Sequence, residues 1–289
     1  MKELIKVNSL SGGKTSSYIA ANYPADYNIF ALVRTNDKSC LFPDKKLRQI
    51  VSDKIGTEFI GTLEMDTIIY TMLDLEQHIG SEITWLSGMP FEDVINTKGG
   101  RLPSWSTRYC TTWTKMKPIE EWWYKNIREV VEMRIGFRAN EVRRAKSLLE
   151  RVDEDGLQVS KFIVGKTKTG TRNRWNDIAW RKPTFPLINT TNPIFKDTIE
   201  NYWQDKNVRF AELNNCVGCM HRNPVLLKKM WETHTNKMQW FSNKEIEKGN
   251  TFKEGMNYEQ IKNWKLQKEI SFNDFNTDEY GCDSGYCGL

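Results

Sequence analysis

Apolar residues along this chain gather in short continuous runs, with helically spaced stretches between them. Residues 4–8 and 28–34 are β-prone and apolar without alternation, as strands covered on both faces are. Between them residues 15–22 predict a helix that stops near Pro24, so the chain opens as a βαβ unit. Leu47, Ile50, Val51 and Ile55 recur at helical spacing within residues 43–55, and residues 57–60 supply a further β-prone run. Pro118 opens a helix over 119–131, after which 132–137 return to strand. This alternation predicts an α/β fold with a doubly wound, mainly parallel, Rossmann-like sheet whose ligands bind at the carboxyl ends of its strands.

The texture changes after about residue 144. Residues 153–182 are rich in Gly, Lys, Thr, Arg and Trp and read as a mobile or hairpin-like insertion. Thr191-Asn192-Pro193 then signals a helix over 194–203. Beyond Cys219 the pattern is helical, closing in a Gly/Asp/Ser tail with two cysteines. The expected divisions are a core over 1–150, an insertion with the remainder of the core over 151–224, and a helical extension over 225–289.

The first predicted strand runs straight into Ser9-Leu10-Ser11-Gly12-Gly13-Lys14-Thr15-Ser16-Ser17. A Gly-rich loop that starts a helix exposes backbone N–H groups at the positive end of the helix dipole, which makes a phosphate cradle. Ser11, Lys14, Thr15 and Ser16 add hydroxyl and ammonium donors. Gly13-Lys14-Thr15 also matches the end of the triphosphatase loop G-x-x-x-x-G-K-[ST], but that loop needs Gly five residues before Gly13, where Asn8 stands.

Composition narrows the setting. The chain has 289 residues, 27% charged and 39% hydrophobic, ordinary for a soluble protein with a good core. No run of 18 apolar residues occurs, and Met1-Lys2-Glu3-Leu4 begins no signal-peptide core, so a cytoplasmic protein without membrane contact is expected. A net charge of +5 is compatible with nucleic acid or nucleotide polyphosphate and requires neither. In a reducing compartment the six cysteines read as metal ligands, catalytic thiols or core residues rather than disulfides.

Cys216-Val217-Gly218-Cys219 is a C-x-x-C whose Gly lets the turn tighten around one metal. Cys110, this pair, and Cys282 and Cys287 near the end could furnish four ligands for iron-sulfur or zinc. Cys40 reads as an ordinary buried thiol. Of the three histidines only His221 lies near the expected site, while His78 and His234 read as structural or solvated.

Several of these segments carry a family resemblance. Ser11-Gly12-Gly13-x-x-Ser16 resembles the PP-loop, S-G-G-x-D-[ST], of the adenine-nucleotide alpha-hydrolase families, with Thr15 in the place of Asp. Arg108-x-Cys110-Thr111-x-x-x-Lys115-x-x-Pro118 resembles the R-x-C-T-x-x-L-K-x-x-P signature of PAPS-reductase-like PP-loop proteins, notably DNA phosphorothioation sulfurtransferases and phage-encoded relatives; Thr114 replaces Leu. Gly136-Phe137-Arg138-Ala139-Asn140-Glu141-Val142-Arg143-Arg144 is similar to their G-x-R-x-x-E-S-x-R, with Val142 for Ser. Phe185-Pro186-Leu187 and then Asn215-Cys216-x-Gly218-Cys219 complete the order, over residues 5–224.

The resemblance implies that Ser9, Ser11, Gly12, Gly13, Lys14, Thr15 and Ser16 hold nucleotide phosphate, while Arg138, Glu141 and Arg144 face nucleotide or substrate. Two guanidiniums suit bidentate capture of phosphate or sulfate, and a carboxylate between them can orient one. Lys115, before the helix-starting Pro118, is a further anion contact. A 4Fe-4S cluster is implied on Cys110, Cys216 and Cys219, with Cys282 or Cys287 as the fourth ligand, and zinc is the alternative.

The implied activity is cleavage of ATP between its α and β phosphates, with Mg2+ screening charge, to adenylate an acceptor that then receives sulfur from a donor protein. Lys14 and Cys287 are the catalytic candidates. A nucleic-acid acceptor fits the Lys/Trp-rich residues 166–182, which offer cations for backbone and rings for bases. The alternative is a sulfonucleotide reductase acting on PAPS or APS, served by a thioredoxin-like reductant, because Cys287-Gly288-Leu289 resembles the reductases' E-C-G-L-H tail with its nucleophilic thiol. A third reading is a nucleotide- or nucleic-acid-binding protein without catalysis.

Overall fold

The structure, a computed structural model, describes residues 3–264. The chain begins with strand β1 (Ile5–Leu10), helix α1 (Lys14–Asn22) and strand β2 (Tyr27–Leu32), the expected βαβ unit. A short strand β3 (Arg34–Thr35) and helix α2 (Lys45–Ile55) follow, with Asp44 accepting from the Lys46 and Leu47 N–H groups as N-cap. The β-prone residues 57–60 form no strand; the pairing falls one step later, where β4 (Gly61–Thr62) runs antiparallel to β3.

No element is predicted from sequence between residues 60 and 118. The structure places there α3 (Thr67–Ile79), β5 (Ile83–Ser87), α4 (Phe91–Thr97) and α5 (Tyr109–Thr111). A π-helical turn, Thr112–Met116, leads from α5 into α6 (Lys117–Asn126). The helix expected to reach residue 131 stops early because Arg128 takes φ 64°, and β6 (Val131–Arg134) begins after it. Next come α7 (Val142–Leu149), β7 (Gln158–Lys166), β8 (Asn173–Thr184) and α8 (Lys196–Gln204). Helices α9 (Pro224–Thr233), α10 (Thr235–Lys248) and α11 (Tyr258–Lys262) close the described chain.

Six strands form one twisted sheet in the order β5-β2-β1-β6-β8-β7, every neighbouring pair parallel except β7 with β8. The chain leaves β1 toward β2 and β5, then returns to β6 on the other side. That reversal opens a crevice beyond the carboxyl ends of β1 and β6, where ligands of such sheets bind. The segment expected as an insertion completes this sheet, since Val131 to Arg134 of β6 pair with Arg181 to Thr184 of β8.

One face of the sheet buries Val7, Ile29, Val131 and Met133 with Trp123 and Trp180. The other buries Leu10, Phe30 and Leu32 with Ile19, Ile69 and Trp203. A third cluster joins α9, α10 and α11 to the front of the core through Phe91, Val217, Trp240 and Phe241, so residues 225–264 share a core with the N-terminal half. Among the described residues no helix is long and apolar enough to cross a membrane.

Candidate functional site

The carboxyl end of β1 turns into α1 through Ser11-Gly12-Gly13. Gly12 takes φ +79°, and a Cβ there would stand 2.6 Å from Ile68 Cγ2, so both conformation and space demand glycine. Gly13 is the N-cap and no side chain caps α1, which leaves first-turn N–H groups for a ligand. Ser16 Oγ donates to Gly13 O at 3.1 Å, accepts from Ser11 N–H at 3.1 Å and lies 3.1 Å from Ser11 Oγ. Ser11 and Ser16, expected as phosphate contacts, also brace the loop through these bonds.

Lys14 and Thr15 open onto a cleft of about 310 Å³, whose walls also include Arg138, Lys196, Glu200 and Asn214. Helix α8 carries Lys196 and Glu200 one turn apart and is anchored to the loop by Trp203 Nε1, which donates to Lys14 O at 3.0 Å. Lys14 Nζ lies 4.0 Å from Glu200 Oε1. Arg138 arrives from the far side of the crevice, after β6, and is 4% exposed. Glu141 Oε2 accepts from the Arg138 backbone N–H at 2.9 Å and from its Nε at 3.1 Å. The other Glu141 oxygen accepts from Arg144, whose guanidinium lies 4.5 Å from the centre of the Phe137 ring. Arg138 lines the cleft; Glu141 and Arg144 stand behind it and hold it.

Asn214 belongs to this cleft and the next residue, Asn215, to a second chamber of about 40 Å³. Asn215 takes φ 73°, a left-handed kink in the wall between the two cavities. Arg222, 3% exposed, donates to the carbonyl oxygens of Asn214 at 2.5 Å and Cys216 at 3.2 Å and clamps that wall. The second chamber gathers the thiols of Cys110, Cys216 and Cys219, which sequence had placed together. Cys40 lies outside this lining, buried at 2% exposure. His78 and His234 line neither cavity.

The C-x-x-C turn is held from several sides. Val217 N–H donates to Leu63 O at 2.8 Å, and Tyr258 Oη, from α11, donates to Gly218 O at 2.8 Å. A Cβ on Gly218 would stand 2.4 Å from the Phe241 ring, itself 1% exposed. Gly218→Ala is thus expected to cost about 1–3 kcal/mol by overpacking, read as a lower urea midpoint at unchanged slope.

Burial pushes the Cys110 thiol up to about 11, with Cys219 adding to the rise. Cys216 is raised well above its ordinary value by burial, then by Glu64 and Cys219. His221 is depressed to about 4 by burial, then by Arg108 and Lys253, so it is neutral at physiological pH. Lys115, expected at an anion, stands in this chamber and donates from Nζ to Glu64 Oε1 at 2.8 Å. Glu64 is fully buried, and no sequence signal marks it: it sits in an unremarkable Thr62-Leu63-Glu64-Met65 stretch. Lys196, Glu200 and Arg222 were likewise unmarked, although Lys196 and Glu200 sit at i,i+4 spacing in the helix predicted after Pro193.

Among the described residues no three His, Cys, Asp or Glu side chains form a site for a metal ion. The donor set nevertheless suits thiolate-bound iron or zinc in kind: three cysteines share a chamber in which Glu64 Oε2 and His221 Nε2 are buried without a hydrogen-bond partner. Cys282 and Cys287 lie outside the described residues. Compared with protein-family models, with curated proteins and with solved structures, the chain finds no match. The class that fold and site define is therefore an α/β protein with a Rossmann-like, mostly parallel sheet and two adjoining cavities at its switch point.

Proposed function

We propose that this chain is an adenine-nucleotide enzyme of the PP-loop, PAPS-reductase-like kind, which splits ATP between the α and β phosphates and prepares an acceptor for sulfur. The observation that carries the reading is the adjacency of the two cavities. An uncapped helix start with Lys14 and Arg138 lies on one side of Asn214-Asn215, and three thiols lie on the other. A polyphosphate on the α1 N-terminus would meet Lys14 and Arg138 from opposite walls, with Mg2+ carried in on its own oxygens. The acceptor oxygen attacks the α-phosphorus, the α–β bridging bond breaks and pyrophosphate leaves with its electron pair. Sulfide-level sulfur from a donor then displaces AMP.

Cys110, Cys216 and Cys219 would hold a 4Fe-4S cluster, with zinc the alternative, and a bound cluster supplies a soft iron centre able to carry sulfur or electrons. The work of this chain's own residues is to keep those thiols together: Arg222 and Tyr258 fix the turn, and Trp105 packs 4.3 Å from the His221 ring at the chamber wall. The protein belongs in a reducing, cytoplasmic compartment on this reading.

The test uses anaerobically purified protein. Expected are iron with absorbance near 400 nm, lost in Cys216→Ala and kept in Cys40→Ala, and pyrophosphate from ATP that depends on Lys14. Sulfite from PAPS with no pyrophosphate from ATP would instead establish the reductase reading. Absence of turnover with both nucleotides leaves a binding protein and sinks the enzyme assignment.

A further inference from the structure

Strands β7 and β8 form a hairpin much longer than the sheet needs. Only Arg181 to Thr184 of β8 pair with β6, while Asn173 and the residues after it run beside β7 alone. Because β8 is parallel to β6, its early residues lie beyond the amino ends of the central strands. Trp175 precedes Thr184 by nine residues, which at about 3.3 Å per residue puts it roughly 30 Å from the edge that carries the nucleotide cleft. The arm that sequence associated with an acceptor therefore projects away from the chemistry.

One face of the arm is core: Phe162 and Trp180 pack on Trp123. On the other, Ile163 stands directly across from Trp175, and the two are 45% and 51% exposed. Trp175 contacts no other ring among the described residues. Residues 159–177 hold Lys161, Lys166, Lys168, Arg172 and Arg174 against a single acid, Asp177. These residues carry a net charge of +4, and the whole chain carries +5. All five cations are exposed, and none forms an ion pair among the described residues. Two copies of so basic an arm repel each other, so the charge favours a polyanion over self-association through the β7 edge.

We propose that the β7–β8 hairpin is a docking arm for single-stranded nucleic acid, with phosphates on its cations and an unpaired base stacked on Trp175. A single strand is chosen over a duplex because an exposed indole needs an open base face. The proposal goes beyond the ATP reading and stands without it.

The test is fluorescence anisotropy of labelled 20-mer DNA and RNA strands over a salt series. Trp175→Ala should weaken single-strand binding roughly 5- to 150-fold, the range found for removing one stacking ring. Replacing Lys161, Lys168 and Arg172 together by Gln should flatten the slope of log K against log salt by about 2, near 0.7 per lost phosphate contact. Thermal midpoint and ATP affinity should stay those of the unaltered protein in both variants. Unchanged oligonucleotide binding in the variants overturns the arm, as does wild-type binding to anionic phosphatidylserine vesicles with none to either strand. Failure of ATP to bind while the oligonucleotide results hold would remove the nucleotide reading alone.

Discussion

Lys115→Met is expected to destabilise the fold by about 3–5 kcal/mol, the cost of leaving a buried charge without its partner. Glu64 is fully buried, its Oε1 is held only 2.8 Å from Lys115 Nζ, and its Oε2 is already without a partner. Lys237 is close by, yet it donates to the Glu64 backbone oxygen and to Asp66, so it leaves the Glu64 carboxylate to Lys115. Removing the ammonium leaves a buried carboxylate without its charge partner. Glu64→Gln in the Lys115→Met background removes the stranded charge and should recover most of the loss. Urea unfolding of both single variants and the double variant measures this as a coupling energy. Equal, additive losses would mean that the pair contributes packing rather than charge.

Arg138→Ala is expected to weaken ATP binding about 10- to 100-fold, since a hydrogen bond to a charged phosphate contributes about 1.5–3 kcal/mol. Its guanidinium lines the cleft, and Glu141 fixes both its backbone and its Nε. Glu141→Gln should give a smaller loss, because the guanidinium remains but is less firmly aimed. Arg144→Ala should leave affinity near that of the unaltered protein, because Arg144 pairs with Glu141 behind the wall and does not line the cleft. Calorimetric titration with ATP ranks the three. A loss in Arg144→Ala as large as in Arg138→Ala would put both guanidiniums on the nucleotide, as the family resemblance alone implies. Arg138→Lys, measured alongside, separates the loss of forked geometry from loss of charge.

Much of the frame was legible because it is written locally. Uninterrupted apolar runs at the start announced two buried strands, and Gly12-Gly13 after the first of them announced a tight loop, whose Gly12 position against Ile68 only glycine can fill. The gathering of Cys110 with Cys216 and Cys219 followed from motif order and from no spacing rule, since 106 residues separate the first from the second. What escaped was written at long range. Helix α3 and strand β5 lie in a stretch whose apolar residues fit several periods, and their placement depends on what covers them. The strand after residue 56 slipped because β4 is decided by its partner β3. Lys115 was assigned to an anion because its own letters invite one; the anion it meets is a carboxylate 51 positions away.

By itself, the sequence determined an α/β chain with a Gly-rich loop between its first strand and first helix, and three cysteines of a kind that could share one soft site. These rest on local signals: side-chain period, glycine freedom and ligand chemistry. Only the tertiary structure decided that Arg138 reaches the loop from across the switch point while Arg144 does not. The same packing seated Glu64 and Lys115 together behind the thiols, made Asn214-Asn215 the wall between the two cavities, and turned the basic hairpin away from both. Each of these is a choice among partners distant in sequence, settled by strand order and burial, which no local pattern encodes.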